Sequence, residues 1–295
     1  LRLRRYNELV TMHTLRHPQG LIAMIRRVQT GHGRRQTGLY SIEGTRLVER
    51  ALRAGVSLLA VLAADGLLAA PTPRQRDLLA ALAAAGCPVT PAPDAIMADL
   101  TAGRDLGQLL GLVRLPPPVT LSELLPPPNT PTAAVPPAPP RPCSPALFLA
   151  AVDITDPGNV GALTRTAHAA GATALLVTGA SDPFHPRATR ISRGSIFKLP
   201  IVAYADAAAL LTELHRLGVA SVATTANDGA PLPRLARPPG PVAVLMGNEA
   251  EGLPAEVATT VDIRVTIPMA AGVDSYSVNA AAAIVLYHLR QEASA

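Results

Sequence analysis

A chain of 295 residues has room for two domains, each large enough to bury a core of ordinary size. Its longest apolar stretch, Ala51–Ala70, is interrupted by Arg53 and Asp65 and falls short of the roughly 18 uncharged residues a spanning helix needs, so no membrane partner is expected. The net charge of +5 is unevenly placed, with ten arginines against three glutamates in residues 1–50, and the two cysteines, Cys87 and Cys143, lack metal-ligand or redox spacing, which argues against a disulfide scaffold and for a reducing cytoplasm.

From the N-terminus, Leu1–Val10 is basic but lacks the apolar core and cleavage site of a signal peptide. Nearly every positive residue is arginine; Lys198 is the only lysine. Guanidinium pairs with phosphate through two parallel hydrogen bonds and stacks on bases, so the dense run Arg26–Arg35 suits RNA, with Arg34 and Arg35 as candidate contacts. A coding bias explains arginine in place of lysine, but not its crowding at one end. Gly44–Gly55 then has the apolar spacing of a helix (Leu47, Val48, Ala51, Leu52) stopped by glycine. Ser57–Ala63 reads as a buried strand, Pro73–Gly86 as a helix and Gly107–Leu112 as a later strand.

The stretch Pro116–Pro145 holds thirteen of the thirty prolines. Such a segment tends to polyproline II and serves as a semi-rigid linker, with Thr120–Leu125 able to form one helical turn. Beyond it, strands are predicted at Leu147–Val152, Ala174–Val177, Val219–Thr224, Val242–Met246 and Ile263–Ile267, with helices at Val160–Ala170, Ala207–Leu217 and Val278–Leu289. This alternation predicts two α/β domains with mainly parallel sheets, whose ligands sit at the carboxyl ends of strands.

Three loops at such ends carry the chemistry. The first, Asp153–Gly161, turns sharply at Asp156-Pro157-Gly158-Asn159, and Asn159 is placed to cap the helix that carries Arg165. A capped helix with a solvated arginine is the plainer reading of this loop alone. The second, Gly247-Asn248-Glu249-Ala250-Glu251-Gly252-Leu253, has two glycines that let backbone approach a ligand, and two acids that disfavour an anion. The third, Ile267–Asn279, mixes Pro268, small residues and the hydroxyls of Ser275, Tyr276 and Ser277 before an apolar helix whose first N–H groups are free. The seven histidines show no metal-ligand spacing, so no metal is expected.

In order and spacing, the three loops resemble the three signature motifs of the SpoU (TrmH) class of SPOUT RNA methyltransferases. Asp182–Pro200 is similar to that family's segment between the first two motifs, and Gly38–Gly55, with Ile42-Glu43-Gly44-Thr45-Arg46, is similar to the substrate-binding domain many members carry. The resemblance covers about residues 15–113 and 146–290. It implies an L30e-like N-terminal α/β domain plus a C-terminal SPOUT α/β domain with a deep trefoil knot, an exception to the usual unknotted topology. The implied division is an RNA substrate-binding domain over 1–115, the linker over 116–145, and a catalytic domain over 146–295.

The resemblance further implies S-adenosyl-L-methionine as cofactor, a ribose 2′-hydroxyl of ribosomal RNA (transfer RNA next) as target, and a homodimer through the C-terminal domain. By position, Leu245, Gly247, Ile267, Met269, Tyr276 and Val278 would hold the cofactor. Arg165, Asn159, Glu249, Ser275 and Ser277 would form the catalytic set, with Glu249 restraining Arg165. One position departs: where the family's third motif has asparagine, this chain has Ser277, and Asn279 replaces the amide only if the stretch is extended. The alternative is therefore an RNA-binding protein that keeps the fold with impaired catalysis. For the RNA surface, Arg187, Arg190 and Arg193 recur every three residues, as on one helical face, and join Arg34, Arg35 and Arg46 as candidate contacts.

Overall fold

A computed structural model describes residues 15, 17–104, 108–125, 145–226 and 228–291. Most of the proline-rich linker, the first fourteen residues and Cys143 lie outside the described residues. The described residues divide into two compact units: residues up to Pro116 with Phe184–Phe197, and Pro117–Pro183 with Lys198 onward.

The first unit opens with α1 (Pro18–Val28), which starts on a proline and buries Leu21, Ile25 and Val28 at helical spacing. There follow α2 (Gly31–Thr37), β1 (Leu39–Glu43), α3 (Thr45–Arg53), β2 (Leu58–Ala64), α4 (Asp65–Ala69), α5 (Pro73–Ala84), β3 (Val89–Ala92), α6 (Asp94–Leu100) and β4 (Leu109–Arg114). The α5 helix begins at a capping box in which Thr72 and Gln75 satisfy each other's backbone N–H groups. The four strands are ordered β1-β4-β2-β3, with β4 antiparallel to both neighbours and β2 parallel to β3. Leu62, Leu82, Leu109 and Leu112 are among the fully buried side chains of this core.

The second unit holds α7 (Leu121–Leu124), β5 (Leu147–Ala151), α8 (Pro157–Ala169) and β6 (Ala174–Thr178). The short α9 (Pro186–Ile191) falls in the segment that clusters with the first unit. The chain continues through β7 (Ile201–Tyr204), α10 (Ala207–Arg216), β8 (Ala220–Thr224), β9 (Ala230–Pro231), β10 (Val242–Met246), α11 (Ala255–Thr260), β11 (Ile263–Thr266) and α12 (Val278–Gln291). The helical turn expected at the start of the linker is α7, and its Leu121 is buried in the second unit's core against β-strand side chains such as Phe148.

The strands of this unit form one sheet ordered β7-β6-β5-β10-β8-β11-β9, parallel at every pairing. Every residue of β5, β6 and β10 is buried, which is why these strands are continuous apolar runs without alternation. Because β5, β10, β8 and β11 are consecutive in the sheet, the loops leaving their carboxyl ends gather in one row. Three of those loops are the motif loops read from the sequence.

Candidate functional site

The second loop is closed on itself. Asn248 N–H donates to the Gly252 carbonyl at 3.0 Å, and Gly252 N–H returns the bond to Asn248 at 2.8 Å. Gly252 takes the left-handed conformation (φ 72°) that the closure requires. Gly247 faces the returning strand so closely that a Cβ there would lie 2.3 Å from the Gly252 carbonyl carbon. The Asn248 side chain ties this loop to the first, donating to the Asp153 carbonyl at 3.1 Å, while its Oδ1 accepts from Ala250 N–H at 2.9 Å. Sequence reasoning did not single out Asn248; its signal was an amide between a glycine and an acid in a loop that must be pinned.

The helix of the first loop starts earlier than predicted. Asp156, not Asn159, is its N-cap, accepting from Gly158 N–H at 3.0 Å, and Pro157 takes the first helical position. Asn159, thereby in the first turn, is free to donate through Nδ2 to Glu249 Oε1. Glu249 consequently holds Asn159 and not Arg165. Arg165 stands exposed on α8, its side chain making no hydrogen bond or ion pair among the described residues.

In the third loop Ser275, Tyr276 and Ser277 are exposed, and the helix begins at Val278. The Ser277 hydroxyl accepts from Ala280 N–H at 3.3 Å and the Ser277 carbonyl accepts from Ala281 N–H at 3.0 Å, the pattern of an N-cap. Asn279 is helical, so it does not share a face with Ser277 and does not replace the missing amide. Its Oδ1 accepts instead from the Thr166 hydroxyl at 2.7 Å, joining α12 to α8.

Between the second and third loops, beside the end of β8, lies a cavity of about 470 Å³. Gly247, Ile267, Met269, Tyr276 and Val278 line it, as do Glu249, Ser275 and Ser277. Leu245 does not: its side chain packs in the core beneath the sheet, because alternate residues of β10 point to opposite faces, and Met246 takes the lining position. Thr224, Thr225 and Ala226 complete the wall. They were missed because they carry no motif; the position of β8 between β10 and β11 puts them there, and pairing order is not written in any one strand. Arg165 and Asn159 lie outside the lining.

The candidate RNA arginines separate. Arg34 is buried and donates from Nη1 to the carbonyls of Val28 at 2.7 Å and Gln29 at 3.0 Å. It satisfies the carbonyls at the end of α1, so it is a structural residue and not a surface contact. Arg35 and Arg46 are exposed. Arg187, Arg190 and Arg193 do not share one helical face, since α9 ends at Ile191 and Arg193 is left-handed (φ 52°). Arg190 and Arg193 line a cleft of the first unit together with Arg46; Arg187 does not. Among the described residues, no group of three or more His, Cys, Asp or Glu is placed to hold a metal ion, and no helix is long and apolar enough to cross a membrane.

Residues 146–287 match the SpoU rRNA Methylase family, and residues 19–108 match an MRM3-like substrate binding domain. A Bacillus subtilis protein named 23S rRNA (guanosine(2553)-2′-O)-methyltransferase RlmP is 34% identical over 138 residues, which cover 46% of this chain and 55% of that protein. The chain spans less than two thirds of the length of this and several other such curated relatives. A crystal structure described as an RNA 2′-O ribose methyltransferase is 32% identical, with a TM-score of 0.72 over 94% of this chain and 96% of that one. The AdoMet-bound rRNA methyltransferase of Sinorhizobium meliloti is 26% identical, with a TM-score of 0.74 over 92% of this chain and 94% of that one.

Proposed function

The chain belongs to the SpoU rRNA Methylase family, and we propose that it is an S-adenosylmethionine-dependent RNA methyltransferase acting on a ribose 2′-hydroxyl, in ribosomal RNA first and transfer RNA next. The observation that carries this reading is the cavity at the carboxyl ends of β8, β10 and β11, built from the second and third motif loops, with the first tied to its edge through the Asn159–Glu249 hydrogen bond. Its size falls within the roughly 300–1,000 Å³ of ordinary ligand sites. Glu249 and Glu251 in its lining suit a cationic sulfonium, and Ile267, Met269 and Val278 suit an adenine face. Gly247 leaves backbone, not side chain, at the closest approach. The names of the relatives above point to the same ligand and the same target atom.

S-adenosylmethionine supplies an electrophilic methyl group when bound. The chain must then hold the ribose oxygen in line and favour its deprotonated form. Arg165 suits the second task by contacting the target phosphate and stabilising developing alkoxide charge, since guanidinium does not give up its proton to serve as a base. Asn159 fixes Glu249 at the cavity edge, and the hydroxyls of Ser275 and Ser277 face the same space. Residues 19–108 supply the RNA-binding unit in this reading, within a cytoplasmic protein. A homodimer through the second unit completes this reading, with Tyr287, 67% exposed on α12, as an apolar side chain such an interface would take in.

A second reading, an RNA-binding protein that retains the fold with impaired transfer, is favoured by Ser277 serving as a helix cap and by Asn279 being occupied with Thr166. Calorimetry with S-adenosylmethionine, followed by mapping of methylated nucleotides in RNA incubated with the protein, separates the two. Binding with methylation supports the first reading. Binding without methylation leaves the second, and no binding at millimolar cofactor overturns the enzyme altogether.

A further inference from the structure

The first unit contains a cleft of about 430 Å³ that the methyl-transfer reading does not use. Arginines converge on it from three places in the chain: Arg46 and Arg50 on α3, Arg74 on α5, and Arg190 and Arg193 in and after α9. The carboxylate on its floor, Glu43, is 5% exposed and already engaged. It accepts two parallel bonds from Arg104, at 3.1 and 3.0 Å, and a third from Arg190 Nη1 at 2.9 Å. Arg74 is held by Glu49, and Arg50 donates to the Arg193 carbonyl. Among the described residues, the side chains of Arg46 and Arg193 make no hydrogen bond or ion pair within contact distance, and Glu49, which acts on Arg46 through space, is already bound to Arg74. The positive charge gathered here therefore exceeds what the protein supplies to balance it.

Two further features make the cleft an anion cradle. The N-terminus of the nine-residue α3 opens into it through Gly44, Thr45 and Arg46, and Gly44 (φ 93°) brings no side chain to cap the free N–H groups. Such a terminus accepts a phosphate oxygen readily. Arg193 also occupies a left-handed conformation that an L residue adopts at a cost glycine avoids. Its neighbour Gly194 is equally constrained, at φ 87° with Arg50 Cδ 2.9 Å from where a Cβ would be. Keeping an arginine at such a position, with its side chain on an arginine-lined cleft, is local strain spent on a charge.

Resting on the reading of the chain as an RNA methyltransferase, we propose that this cleft binds a backbone phosphodiester of the RNA substrate, gripped by Arg46 and Arg193 over the N-terminus of α3. The cleft positions the RNA and reads no base, as phosphate contacts do.

The test compares the full chain with the double variant Arg46→Ala/Arg193→Gly, using filter binding of an in vitro 23S rRNA transcript across a range of KCl concentrations. Glycine suits φ 52°, so the variant's Tm is expected at or above that of the wild type. Its RNA affinity is expected to fall about tenfold or more near physiological salt, and the slope of log K against log[KCl] to shrink by about two. The charge-matched control Arg216→Ala/Arg264→Ala removes two arginines already paired with Glu213 and Asp228, and is expected to leave both quantities unchanged. Equal binding by wild type and the cleft variant overturns the proposal, as does an equal loss in the control. Titration with inorganic phosphate is the second arm: a wild-type signal that the variant loses, without any change in RNA binding, assigns the cleft to a small free anion and overturns the RNA assignment. Cofactor calorimetry on the same samples keeps the two readings apart. Its failure sinks methyl transfer, while an RNA loss confined to the cleft variant still supports the cleft.

Discussion

The hydroxyl of Thr166 donates a 2.7 Å hydrogen bond to Oδ1 of Asn279, 113 residues further along the chain. Thr166 immediately follows Arg165 on α8, and Asn279 immediately follows Val278, which lines the cavity. The bond therefore fixes the helix that carries the arginine relative to the helix that closes the ligand space. Thr166→Val is expected to cost about 1 kcal/mol of stability, and Asn279→Ala to add little once Thr166 is gone. A double-mutant cycle by urea unfolding checks this; fully additive losses would deny the coupling.

Gly247→Ala tests the cradle. Its Cβ would meet the Gly252 backbone at 2.3 Å, and backbone cannot swing away as a side chain can. The loop must open, and cofactor affinity by calorimetry is expected to fall by at least about tenfold, a loss of roughly 1.4 kcal/mol. Unchanged affinity would mean that the loop does not shape the ligand site.

Arg165→Ala is expected to reduce methyl transfer by about two orders of magnitude, the usual effect of losing one group that stabilises a developing anion. Cofactor affinity is expected to stay near the wild-type value, because Arg165 lies outside the cavity lining. A large affinity loss would place this residue against the cofactor instead.

Ser277→Asn restores the amide usual in the family's third motif while keeping a residue that caps helices well, so stability is expected to change by less than about 0.5 kcal/mol. Transfer is expected at or above the wild-type rate. A drop in rate with an unchanged Tm would show that the serine itself is adapted to the reaction.

Asp262 gives a pH signature away from the site. Its Oδ2 accepts from the Ser221 hydroxyl at 2.7 Å and the Ser221 N–H at 2.8 Å, and these bonds hold the carboxyl below the ordinary aspartate range. A depressed folded-state pKa contributes stability that is present above the unfolded value near 3.8 and lost as pH falls through the folded one. Ser221→Ala is thus expected to destabilise the protein clearly at neutral pH and progressively less in acid. Chemical unfolding at several pH values reads this directly, and an undiminished deficit at pH 3 would contradict it.

Local chemistry was legible in the chain wherever it depends on neighbours in sequence. The apolar runs at 147–151 and 242–246 announce strands buried on both faces, because a parallel sheet covered on both sides has no polar side. Glycines at 247 and 252, hydroxyls before an apolar helix at 278 and the turn at Asp156-Pro157-Gly158-Asn159 are likewise written in order, and they located the three loops, although the sequence pattern starts the helix at Asn159 where the structure has Asp156. What the sequence could not decide is where those pieces meet. Only the strand order β5-β10-β8-β11 brings Thr224–Ala226 to the cavity and sends Leu245 into the core. Only the packed structure hands Glu249 to Asn159, gives Asn279 to Thr166, and turns Arg34 inward to close a helix end while Arg46 and Arg193 meet across a cleft. The reason is the same in each case: periodicity and turn chemistry act over a few residues, whereas hydrogen-bond partners and charge balance are settled between segments that only tertiary packing makes neighbours.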